Sequence, residues 1–144
     1  MANWKLVCCA VDLTEASEYA LAEAADLARR FGADLTLLHV FDVAQESLAV
    51  SEPPIVLFER ALVRAREELE RSRALAERVA GRPVTSVLRV GDPAHEILAF
   101  LRQRPFDLAV VGTRGRSGLE RVVLGSVAER VVRQAHCPVL VFRS

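Results

Sequence analysis

The sequence has no long apolar run and no excess of either charge. No apolar stretch approaches the roughly 20 residues that a membrane-spanning helix needs, which argues against an integral membrane protein. The 19 basic and 19 acidic side chains give a formal net charge of zero. Proteins that bind nucleic acids in general carry an excess of Lys and Arg, so this balance argues against a nucleic-acid partner.

Cysteine and lysine are both scarce. Of the three cysteines, Cys8 and Cys9 are adjacent inside an apolar run, and Cys137 lies far away in the chain. Because neighbouring residues of a strand point to opposite faces, we expect reduced, buried cysteines that act as small hydrophobic side chains. Lys5 is the only lysine, and the other 18 basic residues are arginines. The planar guanidinium of arginine suits phosphate and carboxylate groups.

The length and the N-terminal residues indicate one domain that is not exported. Lys5 precedes only six apolar residues before Asp12, and no small-residue cleavage site follows. We therefore expect a cytoplasmic location. A chain of 144 residues, 51% of them hydrophobic, can form a packed core without disulfides or a metal. We expect a single domain over residues 1–144.

Continuous apolar runs alternate along the chain with segments whose apolar residues recur at helical spacing. Residues 42–54 are the least regular part. Spacings of three and four residues predict four helices, the first capped by Thr14 and ended by Gly32, the second long and ended by Gly81. Strands that alternate with helices predict an α/β fold, in which a parallel sheet carries helices on both faces. The predicted strands are Leu6–Val11, Leu35–Phe41, Val84–Val90, Phe106–Val111 and Pro138–Phe142.

A glycine-rich segment follows the fourth predicted strand. It reads Gly112-Thr113-Arg114-Gly115-Arg116-Ser117-Gly118 and continues to Gly125-Ser126 at the start of a helix. Glycines allow close approach of the backbone, whose successive N–H groups can surround an anion, and a helix N-terminus adds further donors. In open α/β sheets, ligands bind beyond the carboxyl ends of the strands, where Asp12 also lies. The pattern predicts a phosphate-binding site.

Several common motifs are absent from the sequence. No Gly-Lys-Ser/Thr follows the glycines, which argues against a P-loop, and no G-x-G-x-x-G follows the first strand. His39, His95 and His136 are scattered, and no Cys or His pair has the spacing of a zinc site. We therefore expect no metal site made by the protein alone, although magnesium could arrive with nucleotide phosphates.

The spacing Gly112-x-x-Gly115, nine residues and then Gly125-Ser126 resembles the ATP-binding signature of the universal stress protein family. Further landmarks of that family are present along nearly the whole chain. They are Asp12 after the opening strand, Gly32-Ala33, Gly91-Asp92-Pro93 and Cys137-Pro138-Val139-Leu140-Val141. One departure is Leu13-Thr14 after Asp12, where family members usually have Gly-Ser or a similar small pair.

The resemblance implies a Rossmann-like, open five-stranded sheet in the order 3-2-1-4-5, with ATP, and possible Mg²⁺, at the junction of strands one and four. It implies that Asp12 and the backbone at Val40 contact the nucleoside. The phosphates would be surrounded by Gly112, Arg114, Gly115, Gly125 and Ser126. The remaining candidate binding residues are Leu13, Thr14, Thr113, Arg116, Gly118 and Val127. A homodimer paired through the apolar last strand, Val139, Leu140, Val141 and Phe142, is also expected.

Three functions are compatible with the sequence. We expect a regulatory ATP-binding domain of the stress response, with no dedicated catalytic activity and no assignable catalytic residue. The alternatives are an ATP-using enzyme, either a slow ATPase or an adenylating enzyme, and a partner-binding module without nucleotide. Residues 112–144 hold six basic and two acidic side chains, a net charge of +4. The positive excess of the chain therefore coincides with the candidate phosphate site, as expected for an anionic ligand.

Overall fold

The computed structural model describes residues 3–43, 54–113 and 125–143. Most of the irregular segment predicted at 42–54 therefore lies outside the described residues. The strands are β1 (Leu6–Ala10), β2 (Asp34–Phe41), β3 (Thr85–Val90), β4 (Leu108–Gly112) and β5 (Val139–Phe142). The helices are α1 (Glu15–Phe31), α2 (Pro54–Ala80), α3 (Pro93–Gln103) and α4 (Ser126–Gln134).

The strands form one parallel sheet in the order β3-β2-β1-β4-β5, which confirms the expected order. The central strand β1 is apolar throughout because the sheet is covered on both faces. Val7 and Cys9 pack into one apolar cluster, which includes residues of α1 and α2, and Cys8 packs into a second, which includes residues of α3 and α4. Cys8 and Cys9 are buried free thiols. Burial raises the pKa of Cys9 to about 12, so this thiol stays protonated.

Local sequence signals fix the ends of α1. The Thr14 hydroxyl accepts a hydrogen bond from the Ser17 N–H at 3.4 Å, which caps the first turn. At the other end Gly32 takes a left-handed conformation with a φ of 64°, and its N–H donates to carbonyls of the last turn. Both predicted ends are therefore confirmed. The helix covers β1 and β4 on one face of the sheet.

The long helix α2 packs one stripe against α1 and leaves its other side exposed. Ala65, Leu69 and Ala76 are buried, as the spacing predicts. Ile55, in the first turn of α2, is 69% exposed, so this turn contributes little to the core. None of the described helices is both long enough and apolar enough to cross a membrane.

Observed strand ends differ from the predicted ones by one or two residues. Val11 lies just beyond β1, although its N–H still donates to the Leu38 carbonyl at 2.8 Å. Gly112 belongs to β4 because it pairs with Phe142. The sheet therefore reaches the first residue of the glycine-rich segment. Asp12 and Thr113 follow the paired part of two neighbouring strands.

Candidate functional site

The strand order reverses between β1 and β4. The chain continues from β1 through β2 to β3 on one side, and then returns to place β4 on the other side of β1. Cys9 pairs with Val110, so extending this register places Asp12 beside Thr113 at the carboxyl ends of the two strands. Such a reversal leaves a crevice where the helices diverge to opposite faces, and ligands of open α/β sheets bind there.

A cavity of about 360 Å³ lies in this crevice. The candidate binding residues that line it are Asp12, Val40, Gly112, Thr113, Gly125, Ser126 and Val127. The structure therefore brings together residues from the ends of β1, β2 and β4 and from the start of α4. Four other candidates, Arg114, Gly115, Arg116 and Gly118, lie outside the described residues.

Leu13 and Thr14 line a different cavity, between α1 and α2. Leu13 has a φ of 66°, a left-handed conformation that is uncommon for a branched side chain. This conformation turns the chain sharply between β1 and α1, and the Leu13 side chain packs against the cluster on the α1 and α2 face. Of Asp12, Leu13 and Thr14, it is Asp12 that lines the cavity between β1 and β4.

The turn holds Asp12 in place through its own hydrogen bonds. The N–H and the hydroxyl of Thr14 donate to Asp12 Oδ1 at 3.0 and 2.5 Å, and the Asp12 N–H donates to Ser17 Oγ at 3.1 Å. Within the described part of the chain, no group donates to the second carboxylate oxygen. Asp12 is half-buried. Its carboxylate is thus oriented by one oxygen and can accept a ligand hydroxyl with the other.

The backbone of Val40 lies next to the region beyond the end of β1, where the chain leaves the sheet at Asp12. Along β2, the Leu38 carbonyl accepts from the Val11 N–H of the β1 side, whereas the Phe41 carbonyl accepts from the Gly91 N–H of the β3 side at 3.0 Å. Carbonyls alternate in direction along a strand, so that of Val40 points toward β1, like that of Leu38. Since β1 has already ended, this carbonyl faces the cavity.

The N-terminus of α4 borders the same cavity, and no side chain of the described residues caps it. Gly125 occupies the N-cap position and has no side chain to satisfy the first N–H groups of the helix. Its own N–H donates to the Thr113 carbonyl at 3.1 Å, which ties the helix start to the end of β4. Free N–H groups and the partial positive charge of a helix N-terminus together favour an anion.

Besides Ser17, three polar residues of the cavity were not among the candidates. His39 is buried, and its Nδ1–H donates to the Val11 carbonyl at 2.8 Å, while Asp42 and Asp92 bring two more carboxylates. Asp92 accepts from the His95 N–H at 2.9 Å, as the N-cap of α3, and from Arg130 at 3.4 Å. The signal that could have found them is their position. Asp42 and Asp92 lie just after the carboxyl ends of β2 and β3, and His39 lies two residues before the end of β2.

The described lining therefore combines carboxylates with backbone donors. Asp12, Asp42 and Asp92 come from the loops after β1, β2 and β3. The backbone donors come from the start of α4. This combination fits a ligand that carries both hydroxyl or amino groups and an anionic group.

A family model described as the universal stress protein family matches residues 3–143. The chain belongs to this family. A universal stress protein of Methanocaldococcus jannaschii is 36% identical over 141 residues, which cover 97% of this chain and 82% of that relative. The solved structure of universal stress protein UspA from Lactobacillus plantarum has a TM-score of 0.84 and 29% identity. The alignment covers 99% of this chain and 100% of the chain of that structure.

Two solved universal stress proteins of the same fold contain an adenine nucleotide. One was determined in complex with cAMP and has a TM-score of 0.74 at 21% identity, with 98% of each chain covered. The other, from Archaeoglobus fulgidus, was determined in complex with dAMP and has a TM-score of 0.65 at 22% identity, again with 98% of each chain covered. At these identities, the two comparisons establish the shared fold.

Proposed function

We propose that this universal stress protein binds an adenine nucleotide, with ATP as the preferred ligand, in the cavity between the ends of β1 and β4. The observation that carries the proposal is that the Asp12 carboxylate and the N-terminus of α4, which no described side chain caps, line the same cavity. A nucleotide offers the matching groups, with hydroxyls on its ribose and negative charge on its phosphates. Family membership and the relatives that hold cAMP and dAMP support the choice of adenine.

At the nucleoside end, the open oxygen of Asp12 accepts a ribose hydroxyl. The backbone of Val40 meets the base, where a carbonyl is a suitable acceptor for the amino group of adenine. At the phosphate end, Gly112 and Val127 supply backbone N–H groups, and Thr113 and Ser126 supply hydroxyls. Gly125, whose own N–H donates to the Thr113 carbonyl, leaves room for a phosphate to approach the start of α4. Arg114, Gly115, Arg116 and Gly118 are assigned to the phosphates by their places in the motif alone. Mg²⁺ would enter with the phosphates and neutralise part of their charge.

The phosphate end is tested by Ser126→Asp. A carboxylate in the first turn favours the helix itself, because it complements the helix dipole, but it repels a phosphate at the same place. We expect ATP affinity to fall by at least about tenfold, while the thermal midpoint is maintained or rises. Isothermal titration calorimetry with ATP and Mg²⁺ measures the affinity.

The matched control for Ser126→Asp is Asn3→Asp. It adds the same charge at an exposed position before β1, at the opposite end of the sheet. We expect Asn3→Asp to bind ATP as the parent does. Equal affinities for the parent and a folded Ser126→Asp variant would refute the phosphate assignment.

The nucleoside end is tested by Asp12→Asn. The asparagine side chain keeps an oxygen that can accept from Thr14, so the turn is retained, but the negative charge and the second acceptor are lost. We expect adenosine and ATP affinities to fall by about tenfold, as for the loss of one hydrogen bond to a charged group. If adenosine affinity is unchanged while the turn is intact by NMR, Asp12 does not contact the ribose.

We propose further that nucleotide occupancy is a regulatory signal. In this proposal the chain acts in the cytoplasm as one domain over residues 1–144, and as a homodimer through β5. Family membership supports the link to stress. Steady release of phosphate from ATP, abolished by Asp12→Ala, would instead indicate an enzyme. The absence of any nucleotide binding in calorimetry would indicate a module that acts on partners alone.

A further inference from the structure

A second cavity, of about 370 Å³, lies between α1 and α2 on one face of the sheet. This volume is within the range of about 300–1,000 Å³ that is typical of small-ligand sites. Aliphatic side chains from the end of β1, from α1 and from α2 line part of it, namely Val11, Leu13, Leu21 and Leu75. Hydroxyl groups of Thr14, Ser17 and Ser72 line another part. A ligand would therefore find an apolar wall as well as hydrogen-bonding groups.

Charged groups of both signs also line the second cavity. Glu18 comes from the start of α1, and Glu68, Arg71 and Arg78 come from α2. Other charged residues of α2 are paired, since Arg73 forms ion pairs with Glu70 and Glu77. In contrast, none of the four charged lining residues has an ion-pair partner within residues 3–43, 54–113 and 125–143. Two carboxylates and two guanidinium groups are thus available to a ligand.

We propose that the second cavity binds a free apolar α-amino acid as a zwitterion. The ligand carboxylate is bound by Arg71 and Arg78, which are seven residues apart and so project from one side of α2. The ligand ammonium is bound by Glu18 and Glu68, and the aliphatic side chain packs against Leu21 and Leu75. The two glutamates would repel a purely anionic amphiphile. The balance of charges therefore favours a zwitterion.

The second cavity shares a wall with the nucleotide cavity. Val11 and Ser17 line both, Leu13 and Thr14 line the second cavity, and Asp12 lines the nucleotide cavity. Ser17 is buried, and its Oγ accepts from the Asp12 N–H. A ligand against Leu13 and Thr14 therefore acts on the same turn that orients Asp12. The left-handed Leu13 makes this turn a strained element whose conformation a contact can shift.

Occupancy of the second cavity is thus transmitted to nucleotide affinity. By linkage, the amino acid and the nucleotide change each other's affinity by the same factor, for which we expect about fivefold. This coupling rests on the proposed nucleotide function. Binding of the amino acid does not, because the second cavity has its own charged and apolar lining.

The test is a calorimetric titration of the full chain with L-leucine in the absence of nucleotide. We expect saturable binding of one leucine per chain. Two leucine analogues separate the contributions of the charges: 4-methylpentanoate lacks the ammonium group and 3-methylbutylamine lacks the carboxylate. Each should bind at least about tenfold more weakly than leucine. No saturable leucine binding, or equal binding of leucine and both analogues, would overturn the proposal.

Variants locate the site on α2. Glu68→Gln and Arg78→Gln should each weaken leucine binding by about tenfold. Glu67→Gln and Arg64→Gln are the matched controls, since both residues are exposed on the same helix and neither lines the cavity. Leucine binding that is equally strong in all four variants would overturn the assignment to this cavity.

A final titration of ATP with and without saturating leucine tests the coupling. A change in ATP affinity that is absent in Arg78→Gln supports transmission through the turn. Unchanged ATP affinity overturns the coupling and leaves the amino-acid site supported by leucine binding. If ATP does not bind under either condition, the nucleotide function and the coupling both fail. The leucine titrations then decide the amino-acid site by themselves.

Discussion

Gly112 and Gly125 belong to the same motif, but the structure needs glycine at only one of these positions. A Cβ on Gly125 would lie 3.0 Å from the Thr113 carbonyl oxygen, closer than a carbon normally approaches, so the helix start or β4 would have to shift. A Cβ on Gly112 would lie 3.8 Å from the Ala20 Cβ, which is an ordinary contact. The protein backbone itself therefore explains Gly125, whereas no contact among the described residues requires glycine at position 112.

This difference predicts different effects on stability when each of the two glycines is replaced by alanine. Gly125→Ala should lower the free energy of unfolding by about 1–3 kcal/mol, because the added methyl group is overpacked against the carbonyl. Gly112→Ala should stay within about 0.5 kcal/mol of the parent. Urea unfolding measures both. Equal destabilisation by the two substitutions would contradict the close approach at Gly125.

Local chemistry in the sequence gives the place of some candidate residues relative to the strands and helices. Asp12 and Ser126 stand next to a strand end and a helix start, which short-range spacing shows. The direction of the Leu13 side chain was not predictable in this way. A left-handed backbone turns this side chain toward α2, and α2 lies far from Leu13 in the sequence. Asp92 belongs to the landmark Gly91-Asp92-Pro93, but its place in the cavity depends on how α3 and α4 pack.

At the scale of elements, one side chain ties the starts of two neighbouring strands together. The Asp107 carboxylate, just before β4, accepts hydrogen bonds from the N–H groups of Lys5 and Leu6 at 2.9 Å each. These two bonds, first that of Lys5 and then that of Leu6, lower the pKa of Asp107 below its ordinary value. Because the amino ends of β1 and β4 are held in register here, their carboxyl ends reach the cavity side by side.

The lowered pKa of Asp107 predicts how stability depends on pH. An unfolded aspartate has a pKa of about 3.9, so the stabilisation is fully present above that pH and is lost as the pH falls through the lower folded value. The difference in thermal midpoint between the parent and Asp107→Asn should therefore be largest near neutral pH and shrink in acid. Thermal unfolding followed by circular dichroism from neutral pH to pH 2 measures it.

Glu59→Gln, an equal change at an exposed position of α2, is the control for this series. It should follow the parent at every pH. A difference between the parent and Asp107→Asn that stays constant with pH would show that the ionised carboxylate has no role in holding the strands.

At the scale of the whole molecule, β5 forms an edge of the sheet. The carbonyls of Pro138 and Phe142 accept from Ala109 and Thr113 of the β4 side. Carbonyl direction alternates along a strand, so the backbone groups of Val139 and Val141 point to the open edge. All four β5 side chains are half-buried. A second copy of the chain could pair with this apolar edge.

We expect the parent to form a homodimer of twice 15.8 kDa at micromolar concentration in light scattering. Val141→Pro removes an N–H at the open edge without removing a bond to β4, so it should give a folded monomer. Val141→Ile keeps the N–H and the branched side chain and should remain dimeric. A monomeric parent, or a Val141→Pro variant that remains dimeric, would contradict pairing through β5.

The sequence by itself determined the alternation of strands and helices, the caps at Thr14 and Gly32, and the positions of Asp12 and the glycine segment at strand ends. These features depend on residues a few positions apart, so periodicity and capping chemistry reveal them. The strand order was predicted through the family resemblance. Nothing in the local pattern specifies which strands become neighbours.

The tertiary structure alone decided which of these residues share a cavity. Register between β1 and β4 places Asp12 beside Thr113, the Leu13 turn directs Leu13 and Thr14 to the second cavity, and strand order gathers the carboxylates that follow β2 and β3. Each of these results depends on contacts between residues far apart in the chain. Packing fixes such contacts only when the whole sheet and both helical layers are assembled.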